Sequence, residues 1–126
     1  MIDDRQATVS SRLERLLVWS RHSNEFGWRS YLGDLYGADD VPYVAAAARC
    51  EDLRGLPPTF VAVGGADGFR DEDVDYALRL MRAGVPTELH VYAGAYHGWD
   101  GFAPIARISQ TAVAARIAAL RRALLP

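Results

Sequence analysis

Residues 59–92 read Thr59-Phe60-Val61-Ala62-Val63-Gly64-Gly65-Ala66-Asp67-Gly68-Phe69-Arg70-Asp71-Glu72-Asp73-Val74-Asp75-Tyr76-Ala77-Leu78-Arg79-Leu80-Met81-Arg82-Ala83-Gly84-Val85-Pro86-Thr87-Glu88-Leu89-His90-Val91-Tyr92. The run Thr59 to Val63 is continuously apolar and β-rich, preceded by Pro57-Pro58 and closed by Gly64-Gly65, which predicts a buried strand. Asp71, Glu72 and Asp73 place negative charge where a helix N-terminus favours it, and Val74, Leu78 and Met81 recur at helical spacing. That helix is expected to stop at Gly84, before Pro86. Thr87 to Tyr92 alternates through Leu89 and Val91 as a second strand. Strand, helix and strand in so short a span make a βαβ unit with parallel strands and a right-handed crossover.

Downstream, Gly94 to Gly101 reads as a loop, and Ile105, Ile108, Val113, Ile117, Leu120 and Leu124 share one face of a final helix. Upstream, Leu13, Leu16 and Leu17 predict a short amphipathic helix over residues 11–19, with Thr8, Ser10 and Ser11 as candidate caps. From Asn24 to Tyr43, Phe26, Trp28, Tyr31, Leu32, Leu35 and Tyr36 are mixed with glycines and aspartates, a pattern suited to broken helices that expose aromatic surface. Two strands rarely stand alone as a sheet, so the fold class is α/β with part of its sheet still to be supplied.

Composition narrows the function classes. The 126 residues match one domain or part of one, half of them hydrophobic, so a packed core is expected. Net charge is −2, and all 14 basic residues are scattered arginines, which argues against a nucleic-acid partner. No segment approaches the roughly 20 apolar residues of a membrane span. The start, Met-Ile-Asp-Asp-Arg, lacks the features of a signal peptide. A single cysteine, Cys50, fits a reducing cytoplasm, and no second cysteine or nearby histidine stands at metal spacing. Neither a metal nor a cofactor is expected.

In open parallel α/β sheets, reactive groups collect beyond the carboxyl ends of the strands. Asp67 and His97 both fall there, one after Gly64-Gly65-Ala66 and the other after Ala93-Gly94-Ala95-Tyr96. A buried carboxylate accepting from one imidazole nitrogen fixes the tautomer and leaves the other nitrogen free to take a nucleophile's proton. An aspartate after a glycine pair is also an ordinary turn former, and a loop histidine is often simply solvated. Asp71 and Asp73 compete as the histidine's partner, although a helix's first turn accounts for their charge. Phe69, Tyr96, Trp99 and Phe102 flank the pair, where they serve either as an acyl pocket or as plain core.

Several ordered stretches carry a resemblance: Leu56-Pro57-Pro58-Thr59, Val63 through Glu72, Tyr76-Ala77, Ala83-Gly84-Val85 and His97-Gly98-Trp99. With Asp3-Asp4-Arg5, Thr8-Val9-Ser10-Ser11 and Trp28 to Leu32, they span nearly the whole chain. Together they closely resemble the hormone-sensitive-lipase-like esterases of the α/β-hydrolase fold. The resemblance implies that Asp67, in Asp-x-x-Arg-Asp-Glu, is a triad acid and that His97, in His-Gly-aromatic, is its base. It also implies that residues 57–126 form the C-terminal βαβα unit of that fold. Residues of about 11–48 correspond to a cap-like helical region, which assigns Phe26, Trp28, Tyr31 and Tyr36 a substrate-facing role; simple helix packing is the alternative.

The family's nucleophile sits in a Gly-x-Ser-x-Gly elbow, and its oxyanion hole uses a His-Gly-Gly segment. Neither motif occurs here: serines 10, 11, 20, 23, 30 and 109 all lack the flanking glycines. Since the family order is serine, acid, histidine, the expectation is that both motifs lie before residue 1 and that the chain, 1–126, is the C-terminal portion of a single hydrolase domain. The function expected is that of a carboxylic ester hydrolase on short acyl esters, with Asp67 and His97 supplied here and Phe69, Trp99, Phe102 and Trp28 contacting substrate. A complementary N-terminal half is the expected partner. The rival expectation is a non-catalytic interaction module, prone to self-association through uncovered apolar surface.

Overall fold

The computed structural model describes residues 1–13 and 16–125. Its two strands, β1 (Thr59–Gly64) and β2 (Thr87–Tyr92), pair in parallel from Thr59↔Thr87 to Gly64↔Tyr92. Helix α2 (Arg70–Arg82) joins them, so the expected βαβ unit is present. The acidic first turn of Asp71, Glu72 and Asp73 suits the positive end of the helix dipole. At the other end, Gly84 adopts φ +81° and its N–H donates to the Met81 carbonyl, stopping the helix where a left-handed residue is needed.

β1 is less covered than a central parallel strand: Val63 and Gly64 are buried and Ala62 is exposed. Among the described residues the sheet has only these two strands, so β1 has β2 on one edge alone. Among the described residues, most of the buried apolar side chains fall into three separate clusters. One joins Trp28, Leu32, Val41 and Ala46; a second joins Leu53, Leu80 and Val85; the third joins Ala95, Trp99 and Ala112.

Three expectations need correction. The helix expected over residues 11–19 is not there: apart from Glu14 and Arg15, which lie outside the described residues, the stretch is a 3-10 turn (Ser10–Arg12) followed by bends. Ser10 and Ser11 spend their hydroxyls on the Gly68 and Thr8 carbonyls, and the helix-starting cap is Ser20, whose oxygen accepts the Ser23 N–H at 3.1 Å. Helix α1 therefore runs Arg21–Leu32, followed by 3-10 turns at Gly33–Leu35 and Ala47–Arg49, in keeping with broken helices. Second, the loop after β2 contains a short helix, α3 (Trp99–Phe102). Third, the last helix, α4 (Arg107–Leu124), buries Ser109 and Ala112 rather than the larger residues. Ile105 precedes it and is 89% exposed, while Ile117, Leu120 and Leu124 also face outward. Small side chains allow α4 to approach the Trp99 loop closely, where the Ser109 hydroxyl donates to the Trp99 carbonyl.

Residues 1–6 are tied to the rest by charge and backbone contacts. The Arg49 guanidinium grips both carboxylate oxygens of buried Asp4, at 2.7 and 2.8 Å, and also donates to the Ala38 and Asp39 carbonyls. No helix of the described residues is long and apolar enough to cross a membrane.

Candidate active site

The carboxyl ends of β1 and β2 are stitched together by their following turns. The Gly65 N–H donates to the Tyr92 carbonyl at 2.7 Å and the Ala66 N–H to the Ala95 carbonyl at 2.9 Å. This proximity requires Gly64, because a Cβ there would lie 2.3 Å from the Ala95 carbonyl oxygen. The turn then places Asp67, whose Oδ1 accepts the Phe69 N–H at 3.0 Å in a local Asx turn. Arg70 locks the same turn by donating to the Gly65 carbonyl at 3.0 Å.

With Oδ1 so engaged, Asp67 directs Oδ2 to His97. Its Oδ2 lies 3.0 Å from His97 Nδ1, across 30 residues of sequence. A carboxylate oxygen accepts, so this contact selects the tautomer that carries its proton on Nδ1 and exposes the Nε2 lone pair. The carboxyl is buried, only 6% of its side chain being exposed, whereas about a third of the imidazole remains accessible. Phe69 meets the imidazole edge-on at 5.2 Å between centroids, and Trp19 lies against it at 5.7 Å.

His97 and Asp67 border a cleft of about 240 Å³ whose wall also includes Val63, Phe69, Trp99 and Asp73. Burial pushes the Asp73 carboxyl up to about 6, the nearby charge of Asp67 adding to the rise. Burial likewise pushes its neighbour Glu72 up to about 7. Arg116 approaches the same cleft and pairs with Asp100 at 3.0 Å.

The other residues singled out from the sequence divide. Phe69 and Trp99 line the cleft. Phe102 stands 67% exposed on α3, with its ring close beneath Gly98. Trp28 is 2% exposed and packed with Leu32, Val41 and Ala46, the arrangement of the helix-packing alternative. Asp71 does not reach His97, because its two oxygens serve Ser10 N–H and Arg70. Trp19 was not singled out by sequence pattern. It precedes α1, far from His97 along the chain, and no periodicity or motif marks it.

The six serines are placed for other work. Those at 10, 11 and 109 donate to backbone carbonyls, Ser20 and Ser23 share the α1 cap, and Ser30 is exposed on α1. Among the described residues, no serine hydroxyl hydrogen-bonds to His97.

Comparison with known proteins identifies the fold. A family model described as the alpha/beta hydrolase fold matches residues 2–101. Esterase LipI of Mycobacterium tuberculosis is 36% identical over 93 residues, covering 74% of this chain and 29% of the relative. The solved structure of a bacterial heroin esterase superposes with a TM-score of 0.94 at 38% identity, covering all of this chain and 41% of that one. An esterase of the bacterial hormone-sensitive lipase family superposes with a TM-score of 0.82 at 28% identity, covering 99% of this chain and 41% of its own. The chain thus spans less than half the length of the proteins it matches. It belongs to the alpha/beta hydrolase fold family.

Proposed function

We propose that this chain supplies the acid and the base of a serine carboxylester hydrolase acting on short acyl esters, and that the nucleophile comes from a segment outside these 126 residues. The observation that carries the reading is the buried Asp67 carboxylate 3.0 Å from His97 Nδ1, with the imidazole bordering an open cleft. A serine hydroxyl entering that cleft would pass its proton to His97 Nε2 as its oxygen attacks the ester carbonyl carbon. Asp67 would hold the ring and stabilise the imidazolium. His97 would then return the proton to the leaving alcohol oxygen, and the same relay would activate water to release the acid. Phe69 and Trp99, which line the cleft, suit an apolar acyl group, and exposed Phe102 suits contact with the rest of the ester.

The complementary part of the hydrolase fold is the proposed partner. The outward apolar residues of α4 and the uncovered edge of β1 favour such a partner, or self-association in its absence. Cys50, the only cysteine, suits a reducing cytoplasm.

Loss of a triad nucleophile lowers turnover on the order of a million-fold in the best-studied case, and the oxyanion donors are absent as well. The purified chain is therefore expected to show no organophosphate-sensitive turnover of a chromogenic acetyl or butyryl ester. Such turnover by the chain alone would overturn the proposal. A monodisperse chain that no serine-bearing segment activates would favour the interaction-module reading instead.

A further inference from the structure

A single hydrogen bond from Nδ1 leaves an imidazole free to swing, because the terminal torsion of histidine is broad. In this chain two aromatic rings restrict it. Phe69 meets the ring edge-on at an interplanar angle of 73°, and Trp19 lies tilted against it at 39°. Phe69 follows Asp67 in the same turn, but Trp19 arrives from a different part of the chain.

The position of Trp19 is built from several sides. Its N–H donates to the Leu17 carbonyl at 2.8 Å, closing a three-residue turn around Val18, whose φ is +70°. A β-branched residue at positive φ is a steric outlier, and such strain persists where surrounding contacts over-determine it. One such contact is Leu16, whose Cδ1 occupies the space that Gly68 leaves open: a Cβ on Gly68 would lie 2.7 Å away. On the other side the indole Nε1 lies 3.5 Å from Oδ1 of buried Asn24, and Asn24 Nδ2 donates to Gln6 Oε1 at 3.1 Å. A continuous set of contacts therefore runs from Gln6 through Asn24 and Trp19 to His97 and Asp67.

We propose that Trp19 is a positioning residue for His97: held by the Val18 turn and by Asn24, it walls the imidazole against Phe69 so that Nδ1 stays on Asp67. The proposal rests on the reading of His97 as the base, and it adds a residue that touches no reacting atom. Trp19 acts by limiting where the imidazole points, so its removal should loosen the Asp67 contact without unmaking the sheet.

The test uses the whole chain with ¹⁵N-labelled histidine. The Nδ1-bound proton of His97 is assigned by its loss in His97→Gln. Trp19→Ala is expected to speed exchange of that proton with water by about tenfold and to change the ring-current shift of the imidazole carbon-bound protons, leaving only the part due to Phe69. Trp19→Phe should retain slow exchange, and Asn24→Ala, which unties the indole without removing it, should fall between. Backbone amide spectra of 59–64 and 87–92 report whether the fold is intact. Unchanged exchange in a folded Trp19→Ala chain would overturn the proposal; if that variant fails to fold, unchanged exchange in Asn24→Ala would do the same. No turnover is read, so failure here leaves the assignment of His97 as base standing, and a failed esterase assay leaves this result intact.

Discussion

The backbone N–H of Ser10 donates to Asp71 Oδ2 at 2.7 Å, while the Asp71 N–H donates to the Ser10 hydroxyl at 3.0 Å, a reciprocal pair made across 61 residues. Helix α2 has no side-chain cap of its own, since Phe69 occupies the N-cap position, so a remote serine satisfies one of its free N–H groups. The same hydroxyl donates to the Gly68 carbonyl at 2.9 Å, fixing the turn that carries Asp67. Ser10→Ala would strand the buried Gly68 carbonyl and the part-buried Asp71 N–H and should cost about 1–3 kcal/mol. An unchanged urea midpoint would show that the cap contributes nothing.

Gly64 controls the distance between the two loops of the site. A methyl group there meets the backbone carbonyl of Ala95, which cannot swing aside as a side-chain end can. Gly64→Ala is therefore expected to push the His97 loop away from Asp67 and to destabilise the chain by roughly 1–3 kcal/mol, as overpacking typically does. Loss of the slowly exchanging Nδ1 proton of His97, with helix content retained by circular dichroism, is the expected signature.

The Asp4–Arg49 pair is bidentate, with Asp4 buried and Arg49 half-buried. Its hydrogen bonds to Arg49 hold the Asp4 carboxyl below the usual carboxylate range, against the opposing effect of burial. A folded value below the unfolded one means that this contribution is present above about pH 4 and is lost as pH falls through the folded value. Arg49→Met leaves the buried Asp4 carboxylate without its partner and should be destabilising, by less than the roughly 3–5 kcal/mol of a fully buried pair because Arg49 is partly exposed. Arg49→Lys should recover little of that loss, because an ammonium cannot span both oxygens and the Ala38 and Asp39 carbonyls together. Denaturant titration of the two variants decides the point.

Glu72 and Asp73 act in the opposite sense. Burial raises them to about 7 and about 6, so the folded state holds protons that the unfolded chain releases. Their contribution is complete below their unfolded values, near pH 4, and is lost as pH rises towards 7. Stability should therefore decline between about pH 5 and pH 7.5, and Glu72→Gln should flatten the decline. A wild-type profile that rises over that interval would contradict these assignments.

Legibility followed the range of the determining contacts. The strand at Thr59 to Val63, the helix ended by Gly84 and the strand at Thr87 to Tyr92 are set by local patterns, and each stands where those patterns put it. The meeting of Asp67 and His97 was readable because parallel pairing carries both following loops to one edge. Residues 8–20 were not readable: Ser10 is committed to Asp71, Leu16 to Gly68 and Trp19 to His97. Those distant partners override the helical spacing of Leu13, Leu16 and Leu17. The outward face of α4 misled for a related reason, since the apolar stripe exists but the residues it buries are Ser109 and Ala112.

The most direct measurement is the initial rate of butyryl ester hydrolysis when this chain is mixed with a polypeptide that supplies the Gly-x-Ser-x-Gly elbow and the His-Gly-Gly segment of the fold. Organophosphate-sensitive turnover should appear on mixing and fall by at least about 10⁴-fold with His97→Ala in this chain. Turnover by the mixture that survives His97→Ala unchanged would contradict the assignment of His97 and Asp67 as its base and acid.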